Sequence, residues 1–390
     1  MSKKRERLFI VIDLLLAATL LISLSKVIDI QMPDQTGQIE QEARKIANVC
    51  LATEGDREKC YKEKFTQLLR DKDIFFAQKT LYAIQNIDPK LRHCHVISHE
   101  ISKAATRQNP SKWRELMERV DVDTCGAGFL HGILEAHTGD EPNFKIDANF
   151  INETCYKGQK NFKERTCSHI LGHLILLDTE GKIEPALPIC GAIDSSFQLD
   201  CYNGIFMEES FKLALAEHGF ADIPVRDRER MERQQERCFK YGGTPAVACW
   251  TDMAEIFVEY YNYDPVKGYE LCNKAPFEAA RNHCYLKAVI LMAVSPRFDT
   301  KEQLLKACSF YTNDENVYKR CTSFIISSLM HYSPKFADRG VKLCSNIADA
   351  YGAYCFEELG NKLKMNVSEK GERERLCRGT PEKYKSLCAS

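Results

Sequence analysis

Each signature missing from this sequence removes a class of function. Acidic and basic residues nearly cancel, 55 against 54, so no global field draws the chain to nucleic acid. There is no GxSxG elbow, P-loop, GxGxxG turn or HExxH pair. The sequence motifs that mark α/β-hydrolases, P-loop NTPases, dinucleotide-binding enzymes and zincin proteases are therefore absent. No CxxC pair occurs, and no CxxCH haem-attachment site. Low-complexity tracts are lacking too. What is present is 44% hydrophobic residues, enough for a substantial core, and 18 cysteines in 390 residues. An even, high cysteine count belongs to an oxidising compartment unless the cysteines bind metal.

The N-terminus agrees with export. Lys3, Lys4, Arg5 and Arg7 precede the apolar run of residues 8–24. At 17 residues the run is at the short limit for a membrane span and long for a signal-peptide core. Asp13 is costly in a bilayer but lies near the basic end, within reach of the interface or of Arg7. No convincing small-x-small cleavage site follows. The expectation is an uncleaved anchor with its basic end in the cytoplasm and the rest facing the periplasm or cell exterior. A cleaved signal peptide is the alternative. Asn152 and Asn366 begin sequons, relevant if the host glycosylates exported proteins.

The cysteines carry a period. They fall into the pairs Cys50/Cys60, Cys155/Cys167, Cys190/Cys201, Cys238/Cys249, Cys272/Cys284, Cys308/Cys321, Cys344/Cys355 and Cys377/Cys388. Intervals within pairs run from 10 to 13 residues. From Cys155 onward the first members step by 35, 48, 34, 36, 36 and 33. A step of this size marks a helical-repeat array. The single long step coincides with the charged run of residues 225–237. Between cysteines, a short amphipathic segment such as TKEQLLKACSF precedes a longer apolar one such as KRCTSFIISSLMHY. Each unit therefore reads as an antiparallel helical hairpin, with one cysteine at the end of its first helix and the other at the start of its second. A disulfide at that place clamps the turn and contributes about 3 kcal/mol for a loop of this length. Zinc ligation by these cysteines is the other reading, and it wants CxxC-like spacing.

The hairpin form and step length resemble the tetratricopeptide and Sel1-like superfamily, especially its cysteine-rich secreted members, over residues 40–390. The tetratricopeptide Trp-Leu-Gly-Tyr pattern is missing, and the cysteine interval here is longer. The resemblance implies a superhelix with a concave face able to hold a protein, peptide or glycan.

The expected architecture is thus an all-α solenoid of disulfide-clamped hairpins on an N-terminal anchor. Its expected parts are residues 1–33 (anchor), 34–75 (linker and first hairpin), 76–220 (His-rich repeats), 221–237 (charged insertion) and 238–390 (C-terminal repeats). Cys94 and Cys125 stand at second-helix starts without first-helix partners. They are expected to bridge adjacent helices, Gly126 and Gly128 letting the helix starts converge from the usual 8 to 10 Å spacing.

Histidines share a register with those cysteines. His93, His95, His99, His131, His137, His169 and His173 are seven of the ten, within 81 residues where an even spread puts about two. His131 and His173 each lie six residues after a helix-start cysteine, and His99 five. The equivalent position of the next repeat holds Met207, followed by Glu208 and Glu209. Residues four apart share a helix face, so His95/His99, His131/Glu135 and His169/His173 each form a two-ligand face. In later repeats the slot holds Glu255, Ile290, Ser327 and Asn361, so the row stops halfway. A need of the repeat itself would not stop there.

Imidazoles with a carboxylate suit zinc, iron, copper or manganese. Bis-histidine haem is the other cofactor the row could take. The helices also carry Gly126, Gly128, Gly132, Gly172 and Gly204, read as close-packing positions. His99-Glu100 looks similar to the His-Glu dipeptides that hold two irons in deoxyhypusine hydroxylase, a HEAT-repeat enzyme. His131-Gly132 and His173-Leu174 depart from that pattern, so the likeness concerns architecture. Two functions stay open: a binding scaffold with a structural or metal-bearing histidine row, and a metal- or haem-dependent redox or hydrolytic enzyme.

Overall fold

The computed structural model describes residues 36–389, apart from 54–55, 89–93, 120–124, 126, 140–143, 157–160, 214–227, 263, 295–307, 309–314, 333–335, 348 and 368–369. The basic N-terminus and the apolar run of residues 8–24, on which the anchor expectation rests, lie outside the described residues. Among those described, no helix is long and apolar enough to cross a membrane.

The described chain is helical, and no strand occurs in it. It opens with α1 (Thr36–Leu51), α2 (Arg57–Asp71), α3 (Ile74–Ile87) and α4 (Cys94–Gln108). Then come α5 (Trp113–Arg119), α6 (Gly128–Gly139), α7 (Ala148–Ile151) running into a π turn (Asn152–Tyr156), and α8 (Asn161–Asp178). Next are α9 (Ile183–Gly191), α10 (Gln198–Leu213), α11 (Arg228–Cys238), α12 (Gly243–Tyr260), α13 (Pro265–Cys272) and α14 (Glu278–Val294). The chain continues with α15 (Glu315–Tyr332), α16 (Ala337–Cys344), α17 (Asp349–Asn366), α18 (Lys370–Leu376) and α19 (Lys385–Ala389). The first four helices are of similar length, and from α5 to α17 shorter helices mostly precede longer ones. Two of the short ones begin at strong signals: Asp264 accepts from the Val266 and Lys267 amides just before Pro265, and Asp147 accepts from Phe150. The charged run ends in α11, which leads directly into the Cys238–Cys249 turn.

Disulfides close the turns between successive helices. Bonds join Cys50–Cys60, Cys155–Cys167, Cys190–Cys201, Cys238–Cys249, Cys272–Cys284, Cys308–Cys321, Cys344–Cys355 and Cys377–Cys388. Their Cα separations, 5.3 to 6.0 Å, lie in the usual range for such bonds. So dense a set of disulfides places the chain in an oxidising, extracytoplasmic or secreted setting.

The long helices supply most of the core. α4 packs on α6, α8 on α10, α10 on α12, α12 on α14, α15 on α17 and α17 on α19. Large apolar side chains on these helices are fully buried, among them Phe129, Phe206, Trp250, Phe257, Tyr285 and Phe356. Each such burial contributes about 1.5 to 3 kcal/mol. The result is a repeat-like all-helical fold.

Cys94 and Cys125 correct the expectation of a bridge, for both are buried thiols outside any disulfide. Helices α4 and α6 do converge. The convergence, however, brings the glycines of α6 onto the backbone of α4 one and two turns beyond the cysteines. Cys125 meanwhile turns its carbonyl toward α4, 2.9 Å from His95 Nδ1. Its sulfur accepts instead from the Gln85 amide of α3, at 3.6 Å.

A candidate metal centre

Two close helix pairs set the geometry. A Cβ on Gly132 would lie 2.1 Å from the His99 carbonyl oxygen, and one on Gly128 would lie 2.4 Å from that of His95. Between α8 and α10, a Cβ on Gly172 would meet the Cys201 carbonyl at 2.1 Å, and one on Gly204 the His169 carbonyl at 2.0 Å. Only glycine fits at these crossings. Ser98 and Ser102 turn back to donate to the carbonyls of His95 and His99, so α4 meets α6 with small, internally satisfied side chains. The residue before Gly128, Ala127, has φ 65°, a left-handed conformation that costs a non-glycine residue about 1–2 kcal/mol.

The close approach aligns the imidazoles. Ring centroids are 5.1 Å apart for His95 and His131, 5.1 Å for His131 and His173, and 4.7 Å for His169 and His173. His99 lies 5.9 Å from His131. Five histidines from three helices therefore form one row. Of the remaining pair in the sequence cluster, His93 lies outside the described residues and His137 stacks on Trp113 of α5 at 4.0 Å.

Outer partners fix most of the rings. His169 Nδ1 donates to the Asp200 carbonyl at 3.3 Å, and His95 Nδ1 donates to the Cys125 carbonyl. Glu208, buried on α10, places Oε2 3.3 Å from His173 Nδ1. His99 Nε2 lies 2.7 Å from Glu135 Oε2, while Lys103 holds the other oxygen of Glu135. Lys103 is one turn beyond His99 on α4, so its spacing would have revealed it in the sequence. The Asp200 and Cys125 carbonyls are backbone groups and carry no such signal. Met207 is half-buried on α10. Beyond α10 the row changes character: Glu255 of α12 pairs with Lys287 of α14 at 2.6 Å.

Charge follows the packing. Burial holds the His131 pKa well below its usual 6.5, and repulsion from His173, His95, His99 and His169 adds to this. Burial does the same for His169, again reinforced by His173. At neutral pH both are uncharged and able to ligate. For His99, burial opposes the charge, but contacts with Glu100 and Glu135 outweigh it and raise the pKa. Burial would raise Glu135, yet His99 and Lys103 bring it down to about 2.

His131, His169 and His173 each offer a nitrogen, all within 4.8 Å of one another, so this triad could hold a metal ion. His169 and His173 turn their Nε2 atoms toward each other at 3.1 Å. With the His169 Nδ1 proton on the Asp200 carbonyl and Glu208 Oε2 3.3 Å from His173 Nδ1, the two Nε2 atoms face the same gap. They repel unless a proton or a cation lies between them. Bonds of about 2.0–2.1 Å to one tetrahedral ion put two nitrogens roughly 3.3 Å apart, close to the observed separation.

No protein family, curated protein or solved structure matches the chain.

Proposed function

We propose that this chain is an extracytoplasmic helical-repeat protein that binds a divalent transition-metal ion through His131, His169 and His173. The observation that carries this is the pair of inward Nε2 atoms on His169 and His173, each ring oriented from behind by a carbonyl or carboxylate. Metal-ligating histidines characteristically have such outer partners. Three imidazoles suit zinc or copper better than manganese, which favours oxygen ligands. Haem fits less well: a porphyrin needs a slot between facing imidazoles, and these nitrogens are 3.1 Å apart. The surrounding reading is a solenoid of hairpins, held at the membrane by residues 1–33, whose concave face presents the site to a protein, peptide or glycan.

A hydrolytic enzyme is the second reading, and the ligand count favours it. Three protein ligands leave a fourth position for water, whose pKa an ion such as zinc lowers to about 7.

Elemental analysis of the purified full-length chain after dialysis against zinc tests the site. His131→Ala and His173→Ala should each lower bound zinc by one ion per chain, with helical circular dichroism unchanged. If both variants keep the wild-type metal content, or the wild type takes up neither zinc nor copper, the reading is wrong. A Soret band in the wild type would favour haem over it.

A further inference from the structure

Thr154 brings a polar group into the interior that the packing does not use. It is 1% exposed, within the π turn (Asn152–Tyr156) and next to the Cys155–Cys167 bond. Its hydroxyl oxygen is buried and has no hydrogen-bond partner among the described residues. Buried hydroxyls are normally bonded, and leaving one bare costs stability. Valine has nearly the same shape without the hydroxyl, so packing alone would favour it at this position.

Two positions earlier, the same turn carries Asn152. Its backbone N–H donates to the Ala148 and Asn149 carbonyls, while its side chain is partly exposed. Asn149 and Glu153, close to it along the turn, are exposed and polar. Asn152, Glu153 and Thr154 spell Asn-x-Thr without a proline between, the acceptor for N-linked sugar. That acceptor needs the hydroxyl as well as the amide. It gives a reason for a threonine where the packing gives none.

We propose that Asn152 is an N-glycosylation site, filled before the Cys155–Cys167 turn closes. The donor is an oligosaccharide linked to polyprenyl pyrophosphate. Asn152 Nδ2 attacks C1 of its first sugar, forming the Nδ2–C1 bond as the bond from C1 to the pyrophosphate oxygen breaks. Polyprenyl pyrophosphate leaves, and the Nδ2 proton passes to a base of the transferring enzyme. The order follows from burial, since in the folded chain the Thr154 hydroxyl is out of that enzyme's reach. The disulfides agree with the setting, because such transfer belongs to exported chains.

Peptide mapping of the full-length chain, taken from the cells that make it, tests the proposal. The peptide containing Asn152 should carry a glycan that peptide-N-glycosidase removes, leaving an aspartate at that position. In the same cells Asn152→Gln and Thr154→Val should both lose it. An unmodified Asn152 peptide in the native chain would overturn the site. Urea unfolding separates the sequon from a structural role for the hydroxyl. When both are made in cells without the transferring enzyme, Thr154→Val should be at least as stable as the wild type, because no hydrogen bond is lost. A less stable Thr154→Val would give the hydroxyl a duty in the fold and remove the argument. Timing is read by offering the enzyme and its lipid-linked donor to unglycosylated chain, either folded or reduced and unfolded. Only the unfolded chain should accept the sugar, and equal transfer to both would overturn the order.

Discussion

His131 shows how much depends on one side chain at the residue scale. It is the only histidine of α6 in the row, and its ring contacts those of both α4 and α8. Its neutrality, and that of His169, makes the metal-free fold sensitive to acid. Both pKa values lie below the ordinary 6.5, so on acidification the unfolded chain takes up protons that the folded chain refuses. Stability is therefore intact above about 6.5 and declines as pH falls toward the folded values. His99 acts in the opposite sense. Its raised value stabilises the fold below the ordinary 6.5, and this contribution is lost as pH rises through the raised value. Two depressed groups oppose one raised group, so the urea midpoint of the metal-free chain should fall between about pH 7 and pH 5. His131→Ala should flatten that slope; an equally steep variant would contradict the assignment. At the neighbouring turn, Ala127→Gly should raise stability by about 1 kcal/mol, measured by urea unfolding, because it removes a left-handed alanine.

Among the elements, glycine decides how near the helices come, and disulfides decide where the hairpins turn. Gly132→Ala drives a methyl to 2.1 Å from a backbone oxygen. The expected cost is about 1–3 kcal/mol, together with a weakened metal site, since α4 and α6 must separate. Gly139, at the end of the same helix, has nothing within 4 Å of a new Cβ. Gly139→Ala should leave stability unchanged or raise it by up to about 1 kcal/mol. Equal losses at both positions in a thermal melt would show that helix propensity, not the crossing, matters. The hairpin turns invite a parallel comparison. Replacing Cys344 and Cys355 together by alanine opens a clamp of sequence separation 11 and should cost about 3 kcal/mol.

Over the whole molecule, sixteen cysteines are joined within eight hairpin turns and two remain thiols. Denaturation without reductant should therefore expose two labelled thiols per chain, mapping to Cys94 and Cys125. A bridged pair would label neither. In the native chain both are buried and should label far more slowly. This matters for any metal assay, because two thiols are a further place for soft ions to bind after unfolding.

The local features of this protein could be read from the sequence alone because they are local. A disulfide spanning 10 to 13 residues joins chain neighbours, and the recurring interval of its cysteines betrays it without knowledge of the remainder. The His-x-x-x-His pairs are equally local, since four residues make about one helical turn. The all-helical class followed from the same spacing. Tertiary structure decided what lies across helices. Sequence register grouped His99, His131, Glu135 and His173, whereas the converging triad has His169 and leaves out His99 and Glu135. Ring rotation makes that choice, and the carbonyl of Asp200 and the carboxylates of Glu208 and Glu135 govern it from other helices. The two unbridged thiols have the same origin. Cys94 and Cys125 occupy equivalent positions, but the Cys125 carbonyl faces His95 of α4 and its sulfur faces Gln85 of α3. Repeat spacing determines which residues are neighbours along a helix, and only the packed backbone determines which of their atoms face one another.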